Sequence, residues 1–271
     1  MSPSYLLIAF DLDQTLIGND LTISPRVQQA IQQAIARGVY ITIITGREAA
    51  ITTRYARQLN LNAPIICAQG GLIYDFRSDS ILHDERLPVE ILPQVMQAAE
   101  HYGWNLSFEM FDRMCLPRFS NHPQEFLDLL PAGYWTRVDD LVGSLSEAPR
   151  KFLVTLNSPA DRPRILKEMH QVFQDTLHIV PTHPLLVEGL PCGVDKGRGL
   201  AWLADYLHIP QSQVMAVGDN DNDVPMIEWA GLGIAMGHAS PAALAVADWI
   251  APDLENDGVA SALDQFVLKT E

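Results

Sequence analysis

Two aspartates stand two positions apart in Asp11-Leu12-Asp13-Gln14-Thr15-Leu16, directly after the wholly apolar run at residues 5–10. Carboxylates this close at the end of a buried segment repel each other unless a cation lies between them or one is protonated. A divalent ion resolves that conflict, and Mg2+ takes hard oxygen ligands of this kind. With its charge neutralised, Asp11 is able to attack phosphorus as a nucleophile. Asp13, slightly displaced, is able to carry the proton of a leaving group and later that of water. The plainer alternative is an Asx-type turn closing a strand.

Three further segments carry chemistry of a matching kind. Thr45-Gly46-Arg47 offers a hydroxyl and a glycine N–H ahead of a helical stretch, a setting suited to a phosphoryl oxygen or, more simply, to a turn and cap. Gly193-Val194-Asp195-Lys196-Gly197 precedes a helix, and Lys196 is the only lysine after residue 186 apart from Lys269. One ammonium among so many acids is placed to neutralise a phosphate and a nucleophile together; otherwise it is a surface lysine paired with Asp195. Gly218-Asp219-Asn220-Asp221-Asn222-Asp223 puts three aspartates within five residues, an oxygen-rich cation site or a solvated loop. It is not an EF-hand, because the twelfth position counted from Asp219 is Ala230 rather than glutamate.

These segments need elements to hold them. The runs 5–10, 39–44 and 64–68 read as buried strands, and helices are expected from Pro25, with Ser24 as cap, and over 48–59. Strands alternating with helices imply βαβ units and a parallel sheet. Each chemical segment then falls where a strand meets its following helix or where a helix begins, the edge at which open α/β sheets bind ligands. The rhythm changes near residue 70: 72–74 and 81–83 flank a turn like a hairpin. From 84 to 186 prolines thicken, and strand-like stretches (105–110, 151–157, 178–180) mix with helices at 89–102 and 162–173. The βα rhythm returns after Val187, with helices at 196–207 and 223–230 and strands at 214–217 and 232–235. The expected fold is α/β: a Rossmann-like parallel-sheet core from 1–83 and 187–271, with an α+β domain inserted at 84–186.

Taken together and in this order, the four segments resemble the motifs of the haloacid dehalogenase superfamily of phosphohydrolases. The inserted domain and the Ile-Ala-Met-Gly stretch at residues 234–237 make the chain similar to the Cof-type branch. The resemblance spans nearly the whole chain. It implies Asp11 as nucleophile, Asp13 as general acid and base, and Thr45 with Gly46 as phosphate holders. It further implies Lys196 as the charge-neutralising residue and Asn222 as a phosphate contact. Asp219 would bind Mg2+ alongside the Asp11 side chain and the Asp13 backbone, supported by Asp223. The inserted domain becomes a cap that selects the leaving group. Two positions depart from the family pattern: Gln14 and Gln69 stand where glycine and asparagine are usual. A left-handed backbone at Gln14 would cost about 1 kcal/mol but would remove no catalytic group.

Composition narrows the partners. The chain has 271 residues, 48% hydrophobic and 19% charged, an ordinary globular balance rather than a disordered one. Its net charge of −15 argues against nucleic acid or an anionic membrane surface as the main partner. Residues 187–271 carry ten more acids than bases and hold most of that excess. No apolar run reaches membrane-spanning length, no secretory signal is legible around residues 1–10, and Cys67, Cys115 and Cys192 read as reduced thiols. A cytoplasmic location is expected. The remaining motifs are plain: Gly231-Leu232-Gly233 misses dinucleotide-loop spacing, and His178 and His183 lack ligand companions. Trp104 and residues 109–113 suit either packing or a cap surface facing substrate. The leading reading is a Mg2+-dependent phosphomonoester hydrolase acting on a small phosphorylated metabolite, a sugar phosphate foremost. A phosphomutase would use the same groups, and a phospho-aspartate receiver domain ranks lower because it is about half this length and lacks the Asp-x-Asp pair.

Overall fold

The computed structural model describes residues 4–128, 130–174 and 176–269. Met1, Ser2 and Pro3, part of the stretch read for a secretory signal, lie outside the described residues. Two compact units are present: 1–83 with 195–271, and 84–194.

In the first unit the chain opens on β1 (Leu7–Asp11), then α1 (Pro25–Ala36), β2 (Tyr40–Ile44), α2 (Ala49–Gln58) and β3 (Ile65–Cys67). The hairpin strands β4 (Leu72–Asp75) and β5 (Ser80–Asp84) follow. Local chemistry explains these limits. The Ser24 hydroxyl accepts from the Val27 N–H at 3.1 Å, and Pro25 presets the first helical turn of α1. All five residues of β1 are buried, as suits a central strand covered on both faces.

The second unit contributes α3 (Leu92–Tyr102), β6 (Asn105–Glu109), β7 (Met114–Pro117), α4 (Gln124–Asp128), β8 (Trp135–Val138) and β9 (Lys151–Thr155). It closes with α5 (Arg162–Phe173), β10 (Leu177–His183) and β11 (Leu186–Pro191). Its sheet runs β10-β11-β9-β6-β7-β8, antiparallel except between β7 and β8. One face packs on α3 and α5 through Val95, Phe108, Phe152, Met169, Phe173 and Val187. Alternation along the strands puts Glu109, Lys151 and Glu188 on the opposite face. There the buried Lys151 ammonium lies 2.8 Å from Glu109 and 2.9 Å from Glu188. The return to the first unit, expected at residue 187, falls at Asp195. Strand β11 belongs to the second sheet, where it pairs with both β9 and β10.

The chain then completes the first sheet with α6 (Lys196–Tyr206), β12 (Val214–Gly218), α7 (Val224–Trp229), β13 (Leu232–Ala235), α8 (Pro241–Val246), β14 (Trp249–Ile250) and α9 (Gly258–Leu263). The order is β14-β13-β12-β1-β2-β3-β4-β5, parallel from β14 through β3 and antiparallel at β4. Leu7, Ala9 and Ile44 of the sheet pack with Leu200 and Leu203 of α6 and with Met226 of α7. Chain order reverses between β1 and β12, and a crevice beyond the carboxyl ends at such a reversal is where open α/β sheets take ligands.

Candidate active site

The two strands at the reversal end in acids. Asp11 is the last residue of β1, and Asp219 directly follows β12. Their carboxylates, with that of Asp223, offer oxygens that all lie within 4.8 Å of one another. Lys196, the first residue of α6, reaches into this group. Its buried ammonium donates to Asp11 Oδ1 at 2.5 Å and to Asp223 Oδ1. Asp223 is held by its own turn: its Oδ2 accepts from the backbone N–H groups of Asp219, at 2.9 Å, and Asn220, at 3.0 Å. The hydroxyl of the buried Thr15 donates to Asp219 Oδ1 at 3.0 Å.

Electrostatics follow from this packing. Burial raises the pKa of Asp11 well above the ordinary aspartate value; Lys196 opposes that, while Asp223, Asp219 and Asp13 add to it. Burial also raises Asp219, to about 7, with Asp223 adding and Lys196 and the Thr15 hydrogen bond opposing. Burial by itself would discharge Lys196, but Asp11 and Asp223 outweigh it and hold its pKa above the usual lysine value. Three carboxylates share one ammonium here, leaving two negative charges uncancelled when all are ionised. A divalent cation with a preference for oxygen fits that donor set.

The remaining residues expected from sequence lie on the same sheet edge. Thr45 is buried just past β2, and its hydroxyl oxygen accepts from the Arg47 N–H at 3.2 Å. Gly46 follows it, and the Asn222 amide donates to Gln69 Oε1 at 2.9 Å. Asp13 is set apart from the acidic cluster: Arg47 grips both its oxygens, Nη2 to Oδ1 at 2.6 Å and Nε to Oδ2 at 2.8 Å. The Asp13 carboxylate is therefore engaged outside the cluster, and Asp223 supplies the third clustered carboxylate. The backbone at Gln14 is left-handed, with φ 62°.

Three side chains take parts that the motif reading does not assign: Arg47, Thr15 and Gln69. Each stands inside or beside a quoted segment, so position was the available signal. Their partners are distant in sequence and appear only on folding. Among the other candidates, Trp104 is a packing residue whose indole donates to Glu168 at 2.8 Å, and Glu109 is paired with Lys151. His178 bonds the Val194 carbonyl, and Cys67, Cys115 and Cys192 are free thiols.

Comparison with known proteins gives the family and the fold. A family model described as haloacid dehalogenase-like hydrolase matches residues 8–263. The 5-amino-6-(5-phospho-D-ribitylamino)uracil phosphatase YitU of Bacillus subtilis (strain 168) is 31% identical over 267 residues, covering 96% of this chain and 97% of its own. Pyridoxal phosphate phosphatase YbhA of Escherichia coli (strain K12) is 27% identical over 273 residues, covering 94% of this chain and 96% of its own. Among solved structures, a HAD/COF-like hydrolase from Plasmodium vivax shares the fold with a TM-score of 0.87 at 22% identity, covering 98% of this chain and 97% of that one. The chain belongs to the haloacid dehalogenase-like hydrolases and, within them, to the phosphatases of the Cof type. No helix among the described residues is long and apolar enough to cross a membrane.

Proposed function

We propose that the protein is a Mg2+-dependent phosphomonoester hydrolase for a small phosphorylated metabolite, a sugar phosphate foremost, working through a phosphoryl group carried on Asp11. The observation that supports this most is the Lys196 ammonium buried against Asp11 and Asp223 with Asp219 beside them. An excess of buried negative charge at a ligand-binding sheet edge calls for a cation before an anionic substrate enters. The relatives' names add a phosphoribityl compound and pyridoxal phosphate to the substrate classes worth testing.

In the first step a carboxylate oxygen of Asp11 bonds to phosphorus as the bond from phosphorus to the leaving oxygen breaks. Asp13 delivers a proton to that oxygen. Water then attacks the phosphorylated aspartate, Asp13 takes the water's proton, and inorganic phosphate departs from a regenerated Asp11. Lys196 opposes the protonation of Asp11 that burial favours and meets the charge on the phosphoryl oxygens, which Thr45, Gly46 and Asn222 hold by hydrogen bonds. Arg47 occupies both oxygens of Asp13, so one of those bonds opens before a proton moves. Asp11, the Asp13 carbonyl and Asp219, with Asp223 in support, would hold Mg2+, which when bound supplies Lewis-acid neutralisation of the phosphoryl charge. The second unit acts as a cap that selects the leaving group. Free thiols and a small-metabolite substrate suit a cytoplasmic enzyme.

The test is phosphate release from an aryl phosphate and from a panel of sugar phosphates, nucleotides, flavin mononucleotide and pyridoxal phosphate. Activity is expected with Mg2+ and lost in EDTA, and Asp11→Asn is expected to fold normally yet release nothing. Sustained turnover by that variant, or by metal-free protein, would overturn the reading.

A further inference from the structure

Gln69 occupies a costly position. It sits in a run of three left-handed residues, with φ 49° at Ala68, 60° at Gln69 and 101° at Gly70. Two of these carry side chains, and such strained conformations persist only where the surroundings impose them. Here the surroundings do. The Ala68 N–H donates to the Arg47 carbonyl at 3.0 Å, and the Gln69 N–H donates to the Thr45 carbonyl at 3.1 Å. The loop is thereby stitched to the turn that holds the proposed phosphate ligands.

The side chain extends the same link. Gln69 is buried, and its amide nitrogen lies so close over Gly46 that a Cβ there would come within 2.2 Å of it. Any side chain at position 46 would push the carboxamide out of this place. At the other end of the same amide, Oε1 accepts from Asn222 Nδ2 at 2.9 Å. One buried carboxamide therefore spans the 45–47 turn and the 219–223 turn, which reach this edge from opposite sides of β1.

Resting on the phosphatase reading above, we infer that Gln69 is a positioning residue for the phosphoryl group. By accepting one hydrogen of the Asn222 amide, it fixes that amide's plane and holds the second hydrogen for a phosphoryl oxygen. It also keeps Gly46 and Asn222 at a set separation. The backbone strain at 68–70 is the cost of bringing a side chain of this length into the gap.

The experiment is a double-variant cycle on Gln69→Met, nearly isosteric but without an acceptor, and Asn222→Ala. It is read as affinity for inorganic phosphate by calorimetry in Mg2+ and as KM and kcat for the best ester. Each single variant is expected to weaken phosphate binding about tenfold and to raise KM more than it lowers kcat. The double variant is expected to be no worse than Asn222→Ala, because both changes remove one interaction. Gln69→Asn, which withdraws the amide by one methylene, should show the same loss and serves if Gln69→Met melts below assay temperature. Losses that multiply in the double variant, or phosphate affinity untouched by either change at Gln69, would overturn the role. A wild-type protein that releases no phosphate from any ester overturns the functional reading instead. The cycle on inorganic phosphate still decides the role of Gln69 in that case.

Discussion

Asp13 gives both carboxylate oxygens to Arg47, although nearly half of its side chain meets solvent. An ion pair that exposed contributes at most about 1 kcal/mol. Arg47→Ala is therefore expected to shift the melting temperature by only a few degrees. Turnover should be more sensitive, because Asp13 loses its fixed orientation. An alkyl phosphate, whose alkoxide leaves only with a proton, should slow about tenfold, and p-nitrophenyl phosphate should slow less. Equal losses on both substrates would show that Arg47 acts elsewhere. Asp11, which is buried, and Asp219, which is partly buried, behave differently. Unfolded aspartates ionise near pH 4, whereas folded Asp219 does so near 7 and Asp11 also above the ordinary range. Between those values the folded, metal-free protein holds protons that the unfolded chain has lost, so stability falls as pH rises through that window. Melting curves in EDTA should move down from about pH 5 to about pH 7.5. Added Mg2+ should raise them, by more at the higher pH, since metal and proton compete for the same oxygens.

At the scale of elements, sequence pattern performs well where apolar runs are uninterrupted. β1, β2, β12 and β13 are legible to within two residues at each end, and with them the sheet edge carrying Asp11, Thr45 and Asp219. β11 is not legible. Its sequence, Leu-Val-Glu-Gly-Leu-Pro, breaks the apolar run with a charge and a glycine. Folding resolves both interruptions: Glu188 meets Lys151, and Gly189 makes room for Phe152, whose ring would lie 2.2 Å from a Cβ there. Neither partner is near in sequence, so the sequence pattern places the return to the first unit about eight residues too early. The pairing partners of Arg47 and Gln69 were hidden for the same reason. The Lys151 cluster also makes a prediction about its sheet. Lys151→Met leaves Glu109 and Glu188 buried without their cation and should destabilise the second unit by about 3–5 kcal/mol. Denaturant unfolding followed through Trp104 and Trp135 would measure this, and combining it with Glu109→Gln and Glu188→Gln should recover much of the loss.

At the scale of the molecule, the net charge of −15 opposes the arrival of any anionic substrate, even though Lys196 and a bound cation favour it locally. Monovalent salt screens the distant charges more than the buried ones. With Mg2+ saturating, kcat/KM for a phosphate dianion is expected to rise several-fold between about 10 and about 150 mM salt. A flat or falling profile would mean that the field at the entrance is already reversed. The sheet itself has a consequence for synthesis. β1 is paired on one side with β2, made soon after it, and on the other with β12, separated from it by about two hundred residues. A nascent chain therefore carries a fully buried strand of the first unit with one open edge until the whole second unit has been translated. Asp11 waits through that interval without Lys196 or Asp219. The charges that oppose one another in the finished site come together only as the last strands close the sheet, so competence for chemistry appears at the end of folding rather than accumulating along it.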